Sequence, residues 1–303
     1  MVRGKISQRG DKGRIMDRTE SIGVSGVRIG HWTHTEAQTG CTVIELPEGS
    51  VASGEVRGGA PASRELDLLA VDKAVESVDG ICLTGGSAFG LAAADGVMQY
   101  FEEAGRGVPT AAGKVPIVPT LAIFDLAAGD SAIRPTRESG YAAARATHGE
   151  QVLRGQIGAG TGAYVGQWRG AERRPGGLGY AEYRLGDVTV CAICVVNAFG
   201  DIDYGDAPIS LDSAQLISQM VPTRTHTTIG AVITNAKLDK VGCQIVAQGA
   251  HDGLARALTP PHTRFDGDAF ISAATGEVPA HIDVVRLLAV AAVSDAIRSV
   301  GHQ

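Results

Sequence analysis

At 303 residues, with 44% hydrophobic, 20% charged and 41 glycine residues, the chain has the make-up of a globular protein able to bury one extensive core or two moderate ones. A formal net charge of -6 and the absence of a long basic run argue against nucleic acid as the main ligand, because phosphate neutralisation is the usual source of that affinity. Its most apolar stretches, such as Thr189 to Phe199 and Leu287 to Val293, fall short of the roughly 18 residues of a membrane span.

Residues Met1 to Glu20 carry six Lys and Arg against three acids and no apolar run of signal-peptide length, and read as a flexible N-terminal extension with Met16 as an alternative start. The pattern then predicts strands over Thr42–Glu45 and Gly80–Leu83, a helix over Gly90–Ala104, and strands over Gly162–Gly166 and Val188–Val196. A helix over Ser210–Met220, a strand over Thr227–Thr234 and helices over Lys237–Leu258 and Ile282–Ser299 follow. This order suits layered α/β packing, and the unbroken apolar run of Val188 to Val196 speaks for a sheet buried on both faces. Five cysteines make an odd number, and Cys82, Cys191 and Cys194 sit in strand-like runs, so free buried thiols and a cytoplasmic address are expected.

Two glycine-rich segments invite a cofactor or hydrolase reading. Gly158-Ala159-Gly160-Thr161-Gly162 leads into strand-like sequence instead of opening a helix, and lacks the acidic partner of a dinucleotide site. Gly85-Gly86-Ser87-Ala88-Phe89 nearly matches a nucleophile elbow but ends in Phe89, leaving Ser87 as either a second nucleophile or a turn residue capping the next helix. His251 and Asp252 are adjacent on a helix and face different directions, so His251 reads as a packing histidine.

The segment Thr225-His226-Thr227-Thr228-Ile229-Gly230-Ala231-Val232-Ile233 ends a polar loop on hydroxyls and runs straight into an apolar strand. A threonine released as a new N-terminus carries its own base, because the freed α-amine lies beside the hydroxyl. Downstream stand Ala250-His251-Asp252-Gly253, Pro260-Pro261-His262-Thr263-Arg264-Phe265-Asp266-Gly267-Asp268 and Ala273-Ala274-Thr275-Gly276; upstream stand Arg57-Gly58-Gly59-Ala60-Pro61, Leu83-Thr84-Gly85-Gly86-Ser87 and Val195-Val196-Asn197-Ala198-Phe199-Gly200. From about Ile22 to Ala296 these ordered blocks resemble the self-processing L-aminopeptidase/D-esterase family, which includes the nylon-oligomer hydrolases.

The resemblance implies a layered α-β-β-α sandwich, an arrangement shared with ornithine acetyltransferases, and one N-terminal-nucleophile hydrolase domain over 21–303 that cuts itself between His226 and Thr227. It implies Thr227 as nucleophile, Asn197 as oxyanion donor, and Asp266 and Asp268 as carboxylates that orient the threonine, stabilise its ammonium and favour substrates with a free amine. Neither metal nor organic cofactor is implied. The substrates would be short peptides or amino-acid oligomers, including 6-aminohexanoate oligomers, and the assembly a homo-oligomer of processed protomers. Read without the resemblance, Asn197 is a strand end before a turn, and Asp266 and Asp268 flank a solvated Asp-Gly turn. The chain departs from the family in carrying His226 where asparagine is usual, and in offering Gln167, Arg169, Arg173 and Arg174 where a lysine is expected. An acyltransferase of the ornithine acetyltransferase type and a non-processing binding protein of the same fold are the alternatives.

Overall fold

The computed structural model describes residues 20–147, 151–205, 214–215, 217–218 and 226–302. Residues 1–19 of the expected N-terminal extension and most of the expected helix over 210–220 lie outside the described residues. The principal strands are β1 (Arg28–His34), β2 (Thr39–Glu45), β3 (Val51–Val56), β4 (Ser63–Arg64), β5 (Gly80–Thr84), β6 (Thr120–Ala122), β7 (Gly177–Leu185), β8 (Val188–Asn197), β9 (Thr227–Ala236) and β10 (Ala269–Val278). The principal helices are α1 (Ala93–Glu103), α2 (Arg137–Arg145), α3 (Lys240–Ala255) and α4 (Ile282–Ser299).

Two five-stranded sheets form, one in the order β1-β2-β5-β6-β4 and the other β7-β8-β9-β10-β3. In the second sheet β7, β8 and β9 are successively antiparallel, β9 and β10 run parallel, and β3 closes the edge antiparallel to β10. β8 shows why its residues belong at the centre. Val190, Ala192, Cys194 and Val196 pack under α3 and α4, whereas Cys191, Ile193 and Val195 enter the apolar layer shared with Ile44, Ile81 and Leu83 of the other sheet. With period 2 the two sets point to opposite faces, and each fully buried Val or Ile contributes roughly 1.5–3 kcal/mol of apolar burial. β9 is arranged likewise, with Ile229, Ala231 and Ile233 between the sheets and Val232 under the helices. At Gly230 a Cβ would lie 2.5 Å from the Phe270 ring, so glycine lets the β10 side chain cross there. On the outer face of the first sheet Val43 and Cys82 meet Val97, Phe101 and Ala143 of α1 and α2. The expected α-β-β-α layering is therefore present.

Local chemistry sets the helix ends. Asp239 accepts from Gly242 N at 2.7 Å, which starts α3 at Lys240, three residues later than the apolar periodicity suggests. Thr136 and Ser139 cap α2 reciprocally. The predicted helix over Gly90–Ala104 is a single turn at Ser87–Gly90 followed by α1, and the predicted strand over Gly162–Gly166 shrinks to Tyr164–Val165 after a 3-10 turn at Gly158–Gly160. Ser87 caps nothing: it sits inside its turn at φ 55°, with Gly86 in the cap position and no side-chain cap bond.

Candidate active site

The antiparallel register of β8 and β9 sets Asn197, the last residue of one, opposite Thr227, the first of the other. Thr227 is 4% exposed, and its Oγ1 donates to the carbonyl oxygen of His226. The Gly267 N–H donates to that same oxygen at 2.9 Å. Gly267 comes so close that a Cβ on it would lie 2.9 Å from Thr227 Oγ1 and 2.7 Å from Ala60 O. The segment of Asp266 to Asp268 is itself strapped by the chain leaving β3, since Ala60 N donates to Asp266 O at 2.8 Å, and Arg57 N and Gly58 N donate to Asp268 O at 3.0 and 3.1 Å. A hydroxyl and a backbone donor thus meet at one peptide carbonyl, between two backbone segments that hold each other.

Both aspartates lie at this point, each 2% exposed. Asp268 Oδ1 accepts from Thr228 N at 2.8 Å, and Oδ2 accepts from His262 N at 3.1 Å and from His262 Nδ1 at 2.9 Å. Three N–H groups thus converge on this one carboxylate. Asp266 Oδ1 accepts from Phe199 N at 3.2 Å, and its Oδ2 accepts from Thr263 N at 3.0 Å and Thr263 Oγ1 at 2.5 Å. Burial, and next the charge of Asp268, push Asp266 up to about 7. The solvated Asp-Gly turn is thereby excluded. Neither carboxylate is among the residues lining the neighbouring cavity.

That cavity, about 510 Å³, is bounded by Phe124, Asp125, Tyr164, Gln167, Asn197 and His226 among others. Asn197 is 1% exposed; its Oδ1 accepts from Tyr164 N at 3.0 Å and Gln167 Nε2 at 2.9 Å, which turns Nδ2 toward Phe124 O at 3.0 Å. One N–H of that amide is spent on Phe124, and the orientation of the other is fixed by the same bonds. The His226 ring packs at a tilt against Phe199, with centroids 5.2 Å apart, and burial lowers its pKa to about 4, so it is neutral at physiological pH.

The structure therefore brings Thr227, His226, Asn197, Asp266 and Asp268 to one place. Ser87 is not on the cavity wall. His251 is fully buried with Nε2 at 3.0 Å from Glu55 O, the packing role expected of it. Four neighbours escaped the sequence reading: Gly267, His262, Thr263 and Gln167. In the interval where a lysine was expected, Gln167 reaches Asn197, Arg169 pairs with Asp201 at 2.7 Å, and Arg173 stacks 4.0 Å over the Tyr164 ring. Only the Asp-x-Asp spacing hinted that its flanking residues would be ligands to carboxylates.

The profile of peptidase family S58 matches residues 21–301. An uncharacterized aminopeptidase of Mycobacterium leprae is 41% identical over 292 residues, covering 85% of this chain and 78% of the relative. A 6-aminohexanoate-oligomer endohydrolase of Paenarthrobacter ureafaciens is 30% identical over 285 residues, covering 88% and 77%. Among solved structures, a Burkholderia sp. beta-aminopeptidase superposes with a TM-score of 0.71 at 24% identity, covering 93% of this chain and 86% of that one. The L-aminopeptidase D-Ala-esterase/amidase of Ochrobactrum anthropi, described as a variant of the Ntn hydrolase fold, gives 0.70 at 19% identity, covering 91% and 84%.

Proposed function

The chain belongs to peptidase family S58 and is an amide-bond hydrolase, and on that premise we propose that it cuts its own His226–Thr227 bond and then works through an acyl-threonine intermediate. The observation that carries this reading is the meeting of Thr227 Oγ1 and Gly267 N–H at the His226 carbonyl oxygen. Attack of Oγ1 on the His226 carbonyl carbon puts negative charge on that oxygen, where the Gly267 N–H already points. Collapse of the adduct breaks the C–N bond, the hydroxyl proton passes to the departing Thr227 nitrogen, and an ester remains. Water then hydrolyses the ester, leaving a His226 carboxylate and a free Thr227 amine beside its own hydroxyl. Residues 21–303 act in this scheme as one N-terminal-nucleophile domain.

In turnover the Thr227 amine takes the hydroxyl proton as Oγ1 attacks a substrate amide and returns it to the leaving amine. Asn197, held by Tyr164 and Gln167 on the cavity wall, supplies an N–H to the substrate oxyanion. Asp268 fixes the backbone next to the nucleophile through Thr228 N, and the new ammonium close by favours the ionised form of Asp266. The substrates we infer are short peptides and amino-acid oligomers, 6-aminohexanoate oligomers among them, with the cavity of about 510 Å³ taking one residue or two.

Intact mass of the folded wild type against Thr227→Ala is the test. Wild type should resolve into pieces ending at His226 and beginning at Thr227, and the variant should stay whole. A wild-type chain that remains at 31.2 kDa after prolonged incubation would remove the self-processing reading. Hydrolysis of amino-acid p-nitroanilides, with and without an added acceptor amine, then separates transfer to water from transfer to an amine.

A further inference from the structure

Asp268 bonds the backbone beside the nucleophile, and among the described residues its other oxygen is held by His262, through backbone N at 3.1 Å and Nδ1 at 2.9 Å. His262 takes a left-handed backbone at φ 51°, which a residue with a Cβ adopts only when its surroundings hold it there. Its side chain is 17% exposed and meets the edge of His251 at a centroid separation of 4.9 Å. His251 is anchored in turn by Nε2 to Glu55 O at 3.0 Å. The carboxylate acceptor places an N–H on His262 Nδ1, and Nε2 is buried without a hydrogen-bond partner among the described residues. The imidazole makes no bond to the cavity or the scissile peptide, so its one polar link leads to Asp268.

We propose that His262 is a positioning residue: its ring Nδ1–H locks Asp268 onto the Thr228 N–H and thereby sets where the Thr227 hydroxyl stands. The left-handed backbone aims both donors of one residue at a single carboxylate oxygen, and the His251 edge keeps the imidazole from rotating away. The titratable groups in contact with the ring are Asp268 on its own loop and His251 on α3; behind His251 lie the Glu55 carbonyl and Arg57, and Arg57 pairs with Asp252. The proposal rests on the threonine reading for its catalytic consequence, and on hydrogen bonds alone for the positioning itself.

Two substitutions separate the donor from the backbone shape. His262→Gly keeps the left-handed conformation and deletes the ring, whereas His262→Asn keeps that conformation and returns an N–H close to the Nδ1 position. In the active chain His262→Gly should lower kcat about tenfold with KM within about twofold, and should move the acid limb of the kcat profile up by about one pH unit, the worth of one charge-assisted N–H bond. His262→Asn should recover kcat to within about threefold and restore the limb, on the same hydrogen-bond accounting. The same two variants made in the uncleaved Thr227→Ala chain allow the Asp268 carboxyl carbon to be titrated by NMR, independently of any activity. There the midpoint should rise in His262→Gly and return in His262→Asn. An unmoved Asp268 midpoint in His262→Gly overturns the proposal, and so does His262→Asn behaving like His262→Gly, which would leave only ring packing. A wild type without hydrolytic activity would sink the threonine reading while the titration still decides the positioning.

Discussion

Replacing Gly267 by alanine puts one methyl group where the structure has no room. The new carbon would stand 2.7 Å from Ala60 O and 2.9 Å from Thr227 Oγ1, inside ordinary carbon–oxygen contact. Neither neighbour yields readily: Ala60 is tied to Asp266 O through its N–H at 2.8 Å, and Thr227 opens a strand paired on both sides. Gly267 must therefore retreat by several tenths of an ångström, stretching its 2.9 Å bond to His226 O toward the limit of a useful hydrogen bond. In the resting chain that loss is worth about 1 kcal/mol, but in the tetrahedral adduct one oxyanion donor is worth roughly 2.7–4 kcal/mol, or 10²–10³ in rate. Self-cleavage should slow by that factor, while overpacking costs about 1–3 kcal/mol of stability. Following the uncut fraction by intact mass after refolding, with a thermal melt at each time point, keeps the two effects apart. A Gly267→Ala chain that remains folded and cuts within about threefold of the wild-type rate would refute the assignment of this N–H to the scissile carbonyl.

Asn197→Ala should lower turnover by roughly 10²–10³ and leave the partly buried Tyr164 N–H and Phe124 carbonyl without their side-chain partner, at about 1 kcal/mol each; near wild-type kcat would dismiss its oxyanion role. Asp266 is raised to about 7 in the folded chain, so between about pH 4 and 7 the native state binds a proton that the unfolded chain has lost, and this group's contribution to stability falls as pH rises. Asp266→Asn should therefore gain in melting temperature relative to wild type as pH increases across that window, and a pH-independent difference would contradict the shift. Burial pushes Cys82 and Cys243 up to about 12 and raises Cys41, Cys191 and Cys194 as well, so the folded protein should not react with a thiol reagent at pH 8 and should expose five reactive thiols in denaturant.

The parts of this architecture that declare themselves in sequence are those with dense β-branched patterning. Val188 to Asn197 and Thr227 to Thr234 read as strands because Val, Ile and Thr fit a pleated, covered surface, and their pairing brings Asn197 to Thr227. β10 escapes the same reading: Ala269-Phe270-Ile271-Ser272-Ala273-Ala274-Thr275-Gly276 is rich in small residues, and its strand state comes from β9 and β3 on either side. α2 was missed too, its nine residues being too short for a periodic signal while its start depends on a Thr136–Ser139 cap. At the site, Thr227, Asn197 and the two aspartates were legible as chemical types in ordered blocks. Gly267, His262 and Gln167 act through a backbone N–H, a left-handed turn and an amide that reaches over from a 3-10 segment, and such roles depend on contacts between segments distant in the chain.

The position of β9 has a consequence for the history of each molecule. The proposed cut falls at its first residue, so the shorter piece supplies β9, β10, α3 and α4, and its two strands are flanked by β8 and β3 of the longer piece. Before the cut, a chain that unfolds can refold alone; afterwards the same sheet can be rebuilt only by two polypeptides finding each other, so recovery depends on concentration. On the proposed cut, folding would have to precede scission, and scission would turn a reversible equilibrium into a one-way commitment whose durability is set by the rate at which the interleaved strands come apart.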